Sequence, residues 1–139
     1  MAEELASANI PVITDALYNL PGEFEDIDAT LQNAARLNEA GVKISFYDGA
    51  HNIRLIRQHA GNAVAEGLPF DAGLAAITLN PATMYGLGDQ LGSLEAGKIA
   101  DVVVWDGDPL EVTTRPEAVF INGRRQDLNN RQKMLMERY

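Results

Sequence analysis

The chain has 139 residues, no cysteine and a formal net charge of −9. That length buries one modest core at most, and the missing cysteines exclude a disulfide framework, a thiolate metal ligand and a cysteine nucleophile. The negative charge repels phosphate backbones and anionic lipid, no apolar run approaches the roughly 20 residues that span a bilayer, and the N-terminus lacks the basic and apolar regions of a signal peptide. Neither nucleic acid nor a membrane is an expected partner, and a cytoplasmic setting is expected.

In chain order, Ile10 to Thr14 is a short apolar run between Asn9 and Asp15 that reads as a buried strand, with Pro11 delaying its true start. After a turn at Leu20-Pro21-Gly22, Ile27, Leu31, Ala34 and Leu37 form the stripe of an amphipathic helix, acidic in its first turn and stopped by Gly41. Val42 to Tyr47 reads as a second strand. Helical spacing resumes at Ile53, Ile56, Ala60 and Val64 and ends at Gly67. A further helix carries Phe70, Leu74 and Ile77 with Pro69 in its first turn, and a short one is started by Asn80-Pro81 and broken by Gly86 and Gly88.

Gly92 and Gly97 then bracket a tight connection. The unbroken run Val102 to Trp105 reads as a strand buried on both faces, stopped by Asp106-Gly107 and Asp108-Pro109. Val119 to Arg124, with an Asn122-Gly123 hairpin turn, completes a small antiparallel sheet. Five of the eleven basic residues (Arg124, Arg125, Arg131, Lys133 and Arg138) lie in a tail that reads as a solvated amphipathic helix.

Strand and helix alternate with short loops in the first half, the pattern of parallel βα units, whose chemistry sits beyond the carboxyl ends of the strands. Two places meet that condition: Thr14-Asp15 with the loop to Phe24, and Asp48-Gly49-Ala50-His51-Asn52. From the residue types, Asp48 followed by Gly49 either caps a turn or carries chemistry. His51 in the same loop either faces a pocket and contacts substrate or hydrogen-bonds within the turn. His59, mid-helix beside Ile56 and Ala60, reads as structural. Gly86-Leu87-Gly88 lacks the following helix of a phosphate cradle, and no serine sits in a nucleophile elbow.

Three blocks in order carry a family resemblance: Asn80-Pro81-Ala82-Thr83-Met84-Tyr85-Gly86-Leu87, then Gly92 to Leu110 (GSLEAGKIADVVVWDGDPL), then Val119-Phe120-Ile121-Asn122-Gly123-Arg124. Together they resemble the C-terminal third of metal-dependent hydrolases of the amidohydrolase superfamily, particularly its imidazolonepropionase-like and prolidase-like branch. Ala96 stands where relatives carry Pro, Ile99 where they carry an acidic residue, and Tyr47 where they often carry a small one. The resemblance covers the chain from about Ile10 onward.

It implies an α/β fold: the last two βα units of a (β/α)8 barrel over residues 1–90, a small antiparallel β-sandwich piece over 91–128, and a C-terminal helix over 129–139. It places Asp48 at the end of the eighth strand, as a ligand to a divalent metal, zinc foremost, and as the group that takes the proton from the attacking water. The family's His-x-His pair, its lysine or glutamate and its two single histidines precede the matched region, so the 139 residues are expected to be inactive and metal-free by themselves. The implied parent hydrolyses a C–N bond in a small amide, cyclic amide or dipeptide-like substrate. The alternative is a stand-alone, non-catalytic remnant that acts as an interaction module. Either way the partner strands missing from the sequence leave apolar faces uncovered, and a homo-oligomer or swapped dimer is expected.

Overall fold

The computed structural model describes residues 1–48, 53–129 and 131–138, with Glu137 described in its backbone only. Two short parallel strands, β1 (Val12–Thr14) and β2 (Ile44–Phe46), pair in the register Val12↔Ile44, Ile13↔Ser45 and Thr14↔Phe46. β1 begins one residue after Pro11, which has no N–H to give the ladder. β2 is buried at all three residues, whereas Ile13 on β1 is 47% exposed.

Around this pair lie five helices: α1 (Ala2–Ser7), α2 (Asn33–Glu39), α3 (Ile56–Ala65), α4 (Phe70–Ala76) and α5 (Leu79–Met84). Val12 N–H donates to Lys43 O (2.9 Å) and Tyr47 N–H to Thr14 O (3.2 Å), so alternate residues of β2 face β1 and Ile44 and Phe46 turn their backbone groups to the other edge. There the Asn80 amide donates to Ile44 O at 2.7 Å, and the Ser45 hydroxyl ties β2 to α4 through Ala76 O at 2.9 Å. A side chain of α5 and a backbone carbonyl of α4 thus satisfy polar groups that a buried strand cannot leave unmade. The core is small-residue rich: Ala34, Ala60, Ala63 and Ala76 let the helices close on Ile44 and Phe46.

The second half forms an antiparallel sheet in the order β3 (Val102–Trp105), β4 (Pro116–Ile121), β5 (Arg124–Arg125), with an irregularity between Val104 and Trp105. Asn122 and Gly123 both have positive φ (51° and 73°), the conformation a two-residue hairpin turn of the right twist requires. The turn before β3 is held by Lys98, whose ammonium donates to Gly88 O, to the Ser93 hydroxyl and to Glu95. The Ser93 hydroxyl, and then Lys98, hold the Glu95 carboxyl below its ordinary carboxylate value. A last helix, α6 (Arg131–Arg138), follows.

The sheet docks on α3. Leu110, in the loop between β3 and β4, is buried in the helical core, and an added Cβ at Gly61 would lie 2.7 Å from its carbonyl oxygen. The Arg57 guanidinium stacks 4.1 Å over the Trp105 ring and donates to Glu111 O at 2.6 Å.

Three expectations change. The helix expected to carry Ile27 and Leu31 begins only at Asn33; residues 24–26 form a single 3₁₀ turn and Ile27 is 64% exposed. Helical spacing needs a surface to bury its stripe, and none covers Ile27 here. Val102 to Trp105 is a strand but not one buried on both faces: Val103 and Val104 are each 42% exposed, because no other described element closes over them. Pro69 sits at the N-cap of α4 rather than within its first turn. The fold is mixed α/β with small sheets, and no closed barrel forms among the described residues.

The Gly61 contact gives a direct test of the docking. Gly61→Ala should lower the unfolding free energy by about 1–3 kcal/mol by forcing Leu110 outward. Urea denaturation reads it, and an unchanged midpoint would mean that Leu110 does not seat against α3.

Candidate functional site

Because β1 and β2 run parallel with Thr14 opposite Phe46, the residues that follow them leave the same end of the sheet. Asp15 begins the loop after β1, and Asp48 lies two residues beyond β2. Both carboxylates named by the sequence therefore stand at the carboxyl edge, where parallel βα units place their chemistry. Asp48 is half-buried, and the Tyr47 side chain beside it is 50% exposed. His51 lies outside the described residues.

Asp15 shapes its own loop. Its Oδ1 accepts the backbone N–H of Leu17 at 2.8 Å and of Tyr18 at 3.0 Å, an Asx turn that bends the chain away from β1. Behind it sits His59 of α3, fully buried, with its ring against Phe46 at 6.4 Å between centroids. Sequence reasoning gave His59 a structural role but missed its contact with the loop. The Ala16 N–H donates to His59 Nδ1 at 3.2 Å, and Asp15 Oδ1 lies 3.4 Å from the same nitrogen. The usable signal was a histidine on the buried stripe of α3, which had to find a polar partner, and the flagged loop at Asp15 was a candidate for it.

The hydrogen bond from Ala16 assigns the tautomer of the ring. A backbone N–H can only donate, so Nδ1 presents a lone pair and the ring proton sits on Nε2. The short distance to Asp15 is then no ion pair in this state, and the Asp15 carboxylate is satisfied by Leu17 and Tyr18 instead. Nε2 is buried and without a hydrogen-bond partner, which costs about 1–3 kcal/mol. With one nitrogen engaged and the other protonated, His59 is not available to a metal.

Among the described residues no three His, Cys, Asp or Glu side chains come together to hold an ion. Zinc takes about four ligands. Asp48 is a suitable oxygen donor, yet one carboxylate is not a site, and the described residues do not by themselves fit a bound metal.

The role of His59 in holding the β1 exit loop is testable. His59→Asn places a carboxamide oxygen near the position of Nδ1 and should keep the Ala16 amide protected from hydrogen exchange. His59→Leu removes the acceptor and should expose that amide while other core amides stay protected. Equal protection in the two variants would show that the imidazole does not hold the loop.

Comparison with known proteins fits this architecture. The family model described as Amidohydrolase family matches residues 2–127. The amidohydrolase tasK of Hapsidospora irregularis is 50% identical over 60 residues, which are 43% of this chain and 6% of that protein. The crystal structure of an amidohydrolase from Thermotoga maritima MSB8 aligns with a TM-score of 0.80 at 32% identity, covering 89% of this chain and 33% of that one. A second amidohydrolase structure shares the fold with a TM-score of 0.65 at 24% identity, over 92% of this chain and 37% of the other. The chain thus spans only a small part or about a third of the proteins it matches. With the family model running through both strands, the helices and the antiparallel sheet, the chain belongs to the amidohydrolase family.

Proposed function

We propose that this chain is the C-terminal part of a metal-dependent hydrolase that cleaves a C–N bond in a small amide, cyclic amide or dipeptide-like substrate, and that it belongs with the imidazolonepropionase-like and prolidase-like branch. β1 and β2 are then the last two strands of a (β/α)8 barrel. The observation that carries the reading is the parallel register that brings Asp15 and Asp48 to one carboxyl edge, in a chain whose family match runs over residues 2–127. The absence of cysteine supports a cytoplasmic setting.

Asp48 is the residue that acts. Water adds to the substrate carbonyl, Asp48 accepts the proton that the water loses, and the same carboxyl returns it to the nitrogen as the C–N bond breaks. A bound divalent metal, zinc foremost, would bring the acidity of water toward neutral pH. Asp48 would be one of its ligands, and the others would come from outside the described residues. The chain by itself is then inactive.

Two measurements test this. Titration calorimetry of the chain with zinc should show no saturable binding at micromolar concentration; binding that Asp48→Ala abolishes would mean that the chain supplies further ligands of its own. In a chimera in which this chain replaces the matched third of the Thermotoga protein, Asp48→Asn should lower kcat for amide hydrolysis by about 10²–10⁴-fold with KM little changed. Hydrolysis near the parent rate in that variant would remove Asp48 from the chemistry.

A further inference from the structure

The charge of this chain is split along its length. Residues 124–139 carry five of the eleven basic side chains and two of the twenty acidic ones, a net of +3, whereas residues 1–123 carry six basic and eighteen acidic, a net of −12. The basic part ends in α6. Residues three, four and seven apart share one helix face, so Arg131, Met134, Leu135 and Arg138 form one stripe, apolar at its centre and basic at its ends. Met134 is 58% exposed and Leu135 41%.

The complementary surface lies in the loop after β1. Glu23, Glu25, Asp26 and Asp28 surround Phe24 and Ile27. The 3₁₀ turn, closed by Ile27 N–H donating to Phe24 O, stacks these two side chains over each other. They are 84% and 64% exposed. An exposed apolar pair with four carboxylates beside it in the chain thus complements, in charge sign, an apolar pair flanked by two arginines.

We propose that α6 docks on the 23–28 turn of a second copy of this chain. Each copy carries one of each surface, so a two-fold exchange makes the contact twice and closes the assembly as a dimer. Met134 and Leu135 cover Phe24 and Ile27, while Arg131 and Arg138 meet the acidic ring. The proposal is independent of Asp48 and of the proposed hydrolysis, since neither surface contains a residue assigned to the chemistry.

Sedimentation velocity on the full chain at micromolar concentration tests it, with circular dichroism confirming that each variant is folded. The wild-type chain should sediment as a dimer. Its association should be roughly tenfold or more weaker at 1 M than at 0.1 M salt, as the screening length falls from about 10 Å to 3 Å. Arg131→Glu/Arg138→Glu and Glu25→Arg/Asp26→Arg should each be monomeric, because the substituted positions are exposed and each reversal sets like charges face to face. An equimolar mixture of the two reversed variants should recover a heterodimer, since both of its contacts, one unchanged and one with the charges exchanged, are again complementary. A wild-type chain that stays monomeric overturns the proposal. So does a dimer that survives both reversals, which would point instead to pairing along the β1 edge at Ile13, and so does a mixture that fails to associate.

Discussion

One turn of α3 holds the chain together. Within Arg57 to Gly61, Arg57 stacks on Trp105 and reaches the Glu111 carbonyl, His59 takes the Ala16 N–H and packs on Phe46, Ala60 is fully buried, and Gly61 gives its surface to Leu110. Elements far apart in sequence meet on four of these five consecutive residues, Arg57, His59, Ala60 and Gly61. The geometry requires a different property from each: a long cation that can lie flat on an indole, a ring with an acceptor nitrogen, a methyl group, and no side chain at all. The antiparallel sheet has no core of its own, since Val103 and Val104 are half-exposed, so its order depends on what Leu110 and Trp105 bury against α3.

That dependence explains how the fold can leave so much apolar surface uncovered and still define a carboxyl edge. β2 is closed on both sides, by β1 through the parallel ladder and by Asn80 and Ser45 through side-chain bonds to α5 and α4. Among the described residues β1 pairs with β2 alone, and its outer residue Ile13 is exposed. The rigid part of the candidate site is therefore the β2 side, where Asp48 emerges. The β1 side is held by local devices: the Asx turn at Asp15, which is set by sequence neighbours, and the His59 bond to Ala16, which is not.

Much of this was legible in the residues. The strand at Val12, the stop at Gly67, the Asn122-Gly123 hairpin and both carboxylates at the edge follow from punctuation and local periodicity, because turns and short strands are decided by nearby residues. Two of the three readings that changed share one cause. Ile27 and Leu31 have helical spacing, and Val102 to Trp105 has the composition of a core strand, but burial is settled by whether another element covers them, and periodicity does not encode that. His59 shows the same limit at the site. Its position on a buried stripe was readable, but its partner lies 43 residues away in a loop, and only the packing of α3 behind β1 brings them together.

The protonation of His59 also bears on what the edge can bind. Were Nε2 unprotonated, an imidazole beside Asp15 would offer a nitrogen donor close to the carboxyl edge of the strands. The Ala16 N–H prevents this by occupying Nδ1 and thereby placing the proton on Nε2. What remains of the described residues at that edge is oxygen: Asp15, two-fold engaged by its own turn, and Asp48. Oxygen donors alone favour hard cations, whereas zinc sites draw on imidazole nitrogen. A zinc-dependent reaction at this edge therefore requires nitrogen ligands from beyond the described residues, and the contribution of this part of the fold is a carboxylate held at the end of a fully buried strand.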